Sequence, residues 1–294
     1  SHFVSGAPAV SLGLVVVTYR SSHVLTGFLD SVSRSSLVPD EVVVVDNSPT
    51  RVSLPKKRAL PTVSLIHRPD NPGYGTAANV GVAALSGSCD WVVVCNPDIL
   101  VEPDALQLLM DEAERQPNAG SLGPAIRNED GTLYPSARAL PSLGIGIGHG
   151  LLGVVWPGNP WTRAYRGDYE SSSTRETGWL SGSFLLLRRE AWDSVGGFDE
   201  KYFMFFEDVD LGWRLQQHGY QNLYVPSATA IHEGGHSTKS NYTLMLTAHH
   251  HSTVRFVAKR YPGPVFAPVR AMIGFGLTLR EKILRDRALQ LSRD

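Results

Sequence analysis

Residues 91–98 read Trp91-Val92-Val93-Val94-Cys95-Asn96-Pro97-Asp98, an apolar run that stops abruptly on a proline between two polar side chains. A short valine-rich run without alternation suits a strand buried on both faces of a parallel sheet. Three earlier runs have the same character, at residues 12–17, 42–45 and 63–66. Helix-like stretches at 22–35, 76–85 and 103–115 lie between or after them. The last has Pro103 at a first-turn position and Asp104 beside it, both suited to a helix start. Strands alternating with helices imply βαβ units, hence an α/β fold with a mostly parallel central sheet and flanking helices.

Beyond Gly120 the texture changes. Asn128-Glu129-Asp130-Gly131 is a turn between short strands. Residues 144–161, rich in glycine and tryptophan, read as an ordered loop or surface hairpin. Residues 181–187 read as a strand and 208–218 as a helix closed by Gly219. Two more helices are expected at 243–261 and 265–291.

The composition narrows the field. With 294 residues, 42% hydrophobic and 19% charged, the chain is not disordered, and a net charge of −1 argues against general nucleic-acid affinity. From Arg255 onward nine Lys/Arg face three Asp/Glu, a basic end suited to an anionic partner or membrane surface, or simply a solvated helix face. Cys89 and Cys95 are too few for a disulfide framework and favour a reducing, cytosolic setting. No run reaches the ~18 apolar residues of a membrane span. The first residues, Ser-His-Phe-Val-Ser-Gly, have neither a charged start nor an apolar signal core; without an initiator methionine they read as a tag remnant, and secretion is not expected.

Several constellations could carry chemistry. Asp98 follows a strand, where ligands of open α/β sheets bind, and a carboxylate there can hold Mg²⁺ or Mn²⁺ or merely cap a loop. Asp46-Asn47-Ser48 closes the second run in the same way, offering a carboxylate and an amide to a base or ribose, or forming an Asx turn. Asn71-Pro72-Gly73-Tyr74-Gly75-Thr76 leads into a helix, where glycines let backbone N–H groups approach an anion. Gly73, Gly75 and Ala78 satisfy a loose dinucleotide pattern, but it follows the third strand instead of the first, which weighs against a dehydrogenase. Glu207-Asp208-Val209-Asp210 follows five residues of which four are aromatic; desolvation there would raise a carboxyl pKa toward that of a general base, and a helix start would lower it. His232-Glu233-Gly234-Gly235-His236 spells a zinc-protease string, which two adjacent glycines keep from a helix. His249-His250-His251 reads as a helix surface patch, and Trp179 as either a sugar-stacking ring or buried packing.

The order of these pieces resembles the family 2 inverting glycosyltransferases of the GT-A fold. It runs from Val16-Val17-Thr18-Tyr19 through Asp46-Asn47-Ser48, Asn71 to Gly75, Asn96-Pro97-Asp98, Gly178 to Gly182, Gly196 to Glu200 and Phe206 to Asp210, ending at His232. The likeness spans about residues 10 to 260. Tyr134 to Arg138, Trp156-Pro157, Asn159-Pro160-Trp161 and the histidine-rich helix are similar to a mycobacterial branch of rhamnosyltransferases. That resemblance implies transfer of rhamnose from dTDP-L-rhamnose to N-acetylglucosaminyl-diphosphoryl-polyprenol in arabinogalactan linker synthesis, at the cytoplasmic face of the plasma membrane. It implies a catalytic domain over 1–240, with a nucleotide-sugar half at about 10–120 and an acceptor half at about 121–240. Residues 241–294 would form a helical segment with a peripheral membrane contact, and a homodimer is compatible with it.

Position by position, the resemblance gives Thr18, Tyr19, Asp46 and Asn47 to the base and ribose. Gly73, Gly75, Asn79 and Asn96 would line the nucleotide-sugar pocket. Asp98 would bind a divalent metal, Mn²⁺ or Mg²⁺, with His232 as second ligand. Asp208 would be the base, with Glu207 its competitor, and Trp179, Ser181 and Gly182 would face the acceptor. Two departures stand out. Ser48 is followed by Pro49-Thr50-Arg51 where the family often has Asp-Gly, and the first acid of the family's D-x-D is Asn96, so Asp98 carries the charge alone. Rival expectations are another donor or acceptor, such as galactofuranosyl transfer, and an inactive nucleotide-sugar-binding scaffold.

Overall fold

The computed structural model describes residues 10–54, 60–143, 172–233 and 242–291. The expectations for the first residues, the 144–161 loop and His236 fall outside that set. Four parallel strands come first: β1 (Leu12–Thr18), β2 (Glu41–Asp46), β3 (Val63–His67) and β4 (Trp91–Cys95). Helices α1 (Ser22–Ser33) and α2 (Tyr74–Ala84) cover opposite faces. Leu12, Leu14 and Val16 pack with Leu25 and Phe28 of α1, while Val15, Val17, Val43 and Val45 pack with Ala77, Ala78 and Val82 of α2. Burial on both faces is why these runs show no alternation. The run at 63–66 departs from that reading: β3 is the sheet edge, and Ser64 is exposed.

The chain continues through β5 (Ile99–Val101), helix α3 (Ala105–Arg115), β6 (Ala119–Asn128), β7 (Leu133–Tyr134), β8 (Ala137–Arg138), β9 (Arg175–Thr177), β10 (Trp179–Leu180) and β11 (Phe184–Arg188), of which β8 and β10 pair in a separate two-stranded sheet and the other strands join the main one. After α4 (Arg189–Val195) and α5 (Glu207–Gln217) comes β12 (Gln221–His232). Strand order is β3-β2-β1-β4-β11-β6-β12-β5, with β11 inserted antiparallel between β4 and β6, and β12 parallel to β6. β12 was not anticipated. It shifts register between Val225 and Thr229, around Pro226, which lacks the N–H to continue a ladder. The strand expected at 181–187 starts only at Phe184, because Ser181 to Ser183 form a turn at the sheet rim.

Two helices follow as expected, α6 (Tyr242–Arg260) and α7 (Ala267–Leu291), with a 3₁₀ turn at Pro264–Phe266 where the second was expected to start. Phe256 of α6 is buried in a cluster with Tyr202 and Val209, so α6 shares the core of the residues before it. The basic end is no solvated face along α6. Arg255 and Lys259 both reach Asp199, at 2.7 and 3.0 Å, and Lys259 also reaches the fully buried Asp210 at 2.7 Å. Asp210 meets Arg214 at 2.6 Å, and Arg214 donates onward to the carbonyls of Val195 and Gly197. Burial opposes ionisation of Asp199, but Arg255 and Lys259 outweigh it and hold the carboxyl well below the usual range.

Candidate active site

The carboxyl ends of β1, β2 and β4 form one rim, since register pairs Thr18 with Asp46 and Val16 with Cys95. Asp46 is fully buried. Its Oδ1 accepts from the Ser48 N–H at 3.0 Å and its Oδ2 from the Val52 N–H at 2.7 Å, so the carboxylate organises the turn that follows. A base would meet only the lone pairs these bonds leave. Beside it, Thr18 Oγ1 and Asn47 Oδ1 are buried and find no partner among the described residues, and Asn47 Nδ2 donates to the Gly73 carbonyl at 3.4 Å. An unsatisfied buried polar atom costs about 1–3 kcal/mol, which a bound ligand's donors would relieve. Tyr19 is exposed next to them.

Gly73 precedes α2 at φ +95°, and a Cβ there would lie 2.3 Å from the Phe203 carbonyl oxygen. Only glycine fits this junction. It lets the Tyr74 N–H reach that same carbonyl at 3.3 Å and aims the Tyr74 hydroxyl at the Gly182 carbonyl, to which it donates. Burial pushes this phenol well above its ordinary pKa, and Cys95, Glu207, Asp208 and Asp98 push it further. Three carboxylates from two distant segments thus lie within electrostatic reach of one hydroxyl. Gly75 packs against Phe198 and Glu207. Asn79, expected in the pocket lining, faces elsewhere: its amide exchanges two bonds of 2.9 Å with the backbone of Phe198 and donates to Glu200. A second turn into the helix has already rotated it off the rim.

Asp98 lies just beyond β4. Its Oδ2 sits 3.1 Å from His232 Nε2, while Oδ1 is buried and unpartnered. The end of β12 brings His232 there by pairing with Ile99 of β5, and the Asp98 bond raises the imidazole pKa. Among the described residues no third His, Cys, Asp or Glu completes the group. Asn96 is half-buried, its N–H donating to the Ser183 carbonyl at 3.0 Å.

Glu207 and Asp208 open α5. Phe205 and Phe206 before them both hold left-handed φ, +66° and +64°, a conformation costly for non-glycine residues. The His249 ring of α6 lies against both aromatic rings, at 5.6 and 5.5 Å. His250 is buried, with Nδ1 3.4 Å from Glu281, while His249 and His251 are exposed, so the expected surface patch holds for the outer two histidines and the middle one packs between the helices. Asp208 Oδ2 accepts from the Gly182 N–H and Oδ1 from its neighbour Val209, each at 2.9 Å. Glu207 is buried with Oε2 unpartnered, and burial together with Asp208 pushes its pKa up to about 8. Burial raises Asp208 as well, against the two N–H bonds and the Arg138 charge that favour its ionised form. Burial thus favours the protonated form of Glu207, while the two N–H bonds and Arg138 favour charge on Asp208.

This proton gives a stability signature. The unfolded chain releases it near 4.5 and the folded chain only near 8, so stability is greatest below that window and falls as pH rises through it. In Glu207→Gln the decline in unfolding free energy between roughly pH 5 and pH 8 is expected to shrink by up to a few kcal/mol, read by urea melts across that range.

The expected acceptor residues are partly built into the wall. Ser181 is buried, with Oγ 2.9 Å from Ser183 Oγ and its N–H on the Ser136 carbonyl. Trp179 is half-buried; its indole N–H donates to the Ala139 carbonyl at 3.1 Å, Gly212 of α5 packs against it, and Arg138 lies over its ring at 5.9 Å. Its polar edge and one face are thus engaged within the protein. Gly182 alone sits directly between Tyr74 and Asp208. Tyr74, inside the Gly73–Gly75 loop expected to line the pocket, donates to this turn, and Arg138, to which the sequence reading gave no individual role, lies within electrostatic reach of Asp208.

This geometry agrees with what the chain is similar to. The model described as glycosyltransferase like family 2 matches residues 8–251. N-acetylglucosaminyl-diphospho-decaprenol L-rhamnosyltransferase of Mycobacterium tuberculosis is 44% identical over 96% of this chain and 95% of its own length. Rhamnosyltransferase WbbL of Escherichia coli is 31% identical over 64% and 71%. In structure, a mannosyltransferase of Pyrobaculum calidifontis solved with GDP-Man and Mn²⁺ covers 92% of this chain and 70% of its own at a TM-score of 0.55 and 18% identity. TarS of S. aureus covers 81% and 39% at 0.51 and 14%. The two structures share the GT-A fold with it, and the family model spans most of its length: the chain is a family 2 glycosyltransferase.

Proposed function

We propose that this enzyme moves L-rhamnose from dTDP-L-rhamnose to N-acetylglucosaminyl-diphosphoryl-polyprenol, the arabinogalactan linker, at the cytoplasmic face of the plasma membrane. The observation that carries the chemistry is the Gly182 turn, whose carbonyl accepts from Tyr74 and whose N–H holds the Asp208 carboxylate at 2.9 Å, with Asp98 on the neighbouring strand end beside His232. The near full-length relative of that activity supports the choice of donor and acceptor. Thr18, Tyr19, Asp46, Asn47 and Asn96 hold the nucleotide, the first and fourth through the buried oxygens that lack partners.

Transfer is a single displacement with inversion. Asp208 keeps a lone pair free of its two N–H bonds and takes the proton of the acceptor hydroxyl. The oxygen attacks the anomeric carbon from the face opposite the nucleotide, and dTDP leaves with the bonding electron pair. The protonated Glu207 adds no second charge to repel the attacking oxygen. Asp98 and His232 suit a divalent ion, because an unpartnered carboxylate oxygen beside an imidazole is a donor set that Mn²⁺ or Mg²⁺ accepts. When bound there, the ion would neutralise charge on the diphosphate as a Lewis acid. The catalytic body over 1–240 would supply both halves of the site, and the lipid tail of the acceptor would bring the enzyme to a bilayer.

The test is transfer from dTDP-rhamnose to a GlcNAc-diphosphoryl lipid, with UDP-galactofuranose as the competing donor. Rhamnose transfer that EDTA abolishes and Mn²⁺ restores is expected, with Asp98→Ala lowering it ~10²-fold or more. Transfer from the UDP-sugar alone would replace the donor assignment, and no donor-dependent transfer at all would leave a binding scaffold.

A further inference from the structure

We infer that the outer face of α7 is a docking surface for an anionic lipid bilayer, on which the enzyme lies without crossing. The inference rests on the lipid-linked acceptor proposed above for its setting, and it names the surface. α7 packs one side against α6, where Glu281 bonds Thr247 Oγ1 at 2.7 Å and meets His250 at 3.4 Å, with Ile273 and Leu277 half-buried on that side. The opposite side exposes Met272 (63%), Phe275 (71%), Leu279 (48%) and Ile283 (44%). At 3.6 residues per turn these four positions fall within ~80° of the helix circumference. Val265 (83%) and Phe266, in the turn before the helix, extend the apolar surface. Large apolar side chains in so continuous a stripe mark an interaction surface, where scattered ones would not.

Charge selects the occupant. Residues 267–291 contain five Lys/Arg and two Asp/Glu. One of those acids, Glu281, is turned inward to α6, and Lys282 is exposed beside the stripe. A second copy of the chain would set this basic stretch against itself, whereas anionic headgroups complement it. An exposed apolar stripe on a net-basic helix, with Lys282 beside it, is the pattern of a helix lying in the membrane interface. Among the described residues no helix is long and apolar enough to cross a bilayer.

Full-length protein is sedimented with vesicles of phosphatidylcholine alone or enriched in phosphatidylglycerol. Wild type is expected to pellet with the anionic vesicles, and Phe275→Glu/Leu279→Glu to bind them about ten-fold less or weaker still. Because these positions are solvent-exposed, the variant is expected to keep its melting temperature and its transfer to a water-soluble, short-chain acceptor. The milder Met272→Ser/Phe275→Ser variant controls for the introduced charge. Equal pelleting of wild type and variants, or no pelleting of wild type, overturns the surface. So does a concentration-dependent dimer in sedimentation velocity that the same substitutions dissolve. Rhamnose transfer to the soluble acceptor without vesicle binding defeats this inference alone. Vesicle binding without rhamnose transfer defeats the functional reading alone.

Discussion

Asp208→Asn is expected to lower rhamnose transfer by ~10²–10⁴-fold, the usual worth of a general base, while leaving dTDP-rhamnose affinity near wild type. The amide oxygen of asparagine can still accept the Gly182 N–H that Asp208 holds at 2.9 Å, so the turn at the rim keeps its shape and only proton acceptance is lost. Single-turnover transfer and equilibrium donor binding separate the two effects. A large fall in donor affinity would show that Asp208 positions the sugar, and near-normal turnover would move the base to Glu207. The pH dependence adds a check. With Glu207 pushed up to about 8, a second carboxylate appears beside Asp208 above that value, and the rate profile should respond there in the wild type but not in Glu207→Gln.

The largest effect on stability is expected at Asp210. Its fully buried carboxylate balances Arg214 at 2.6 Å and Lys259 at 2.7 Å, and the Tyr202 hydroxyl donates to it at 3.5 Å. Asp210→Asn leaves two cations facing a neutral amide. Breaking a buried pair from one side costs about 3–5 kcal/mol. Chemical denaturation should report that loss, with a fall in melting temperature of ~10 °C. A loss below about 1 kcal/mol would mean that Arg214 is held by the Val195 and Gly197 carbonyls alone.

The half of the fold ending at Asp98 was legible because all its strands but the edge strand β3 are buried on both faces and stop on turn-forming residues. The later half was not. β12 mixes polar and apolar residues, bends at Pro226 and pairs across more than a hundred residues with β6, so no local pattern announces it. His232, at its end, stood out only as part of a zinc-protease string, and its place as a metal ligand came through the resemblance. The same limit explains the site. Asp98, Glu207 and Asp208 could be picked out as acids at element ends, but the residue that reports their meeting, Tyr74, bonds a carbonyl 108 positions away. Asn79 and Trp179 show the converse case. Their chemistry suits a ligand, yet nearby backbone groups already engage it, Phe198 for the amide and Ala139 for the indole.

The two left-handed phenylalanines ahead of Glu207 have a consequence for how the chain can be divided. A backbone bent that way relaxes once nothing presses on it, and the rings that press come from α6, through His249 and Phe256. A version trimmed after residue 241 would keep every acid of the rim and still come out disarmed. The C-terminal helices are then less an appendage than a brace, and whatever loosens their seat would be felt as lost chemistry at a distance.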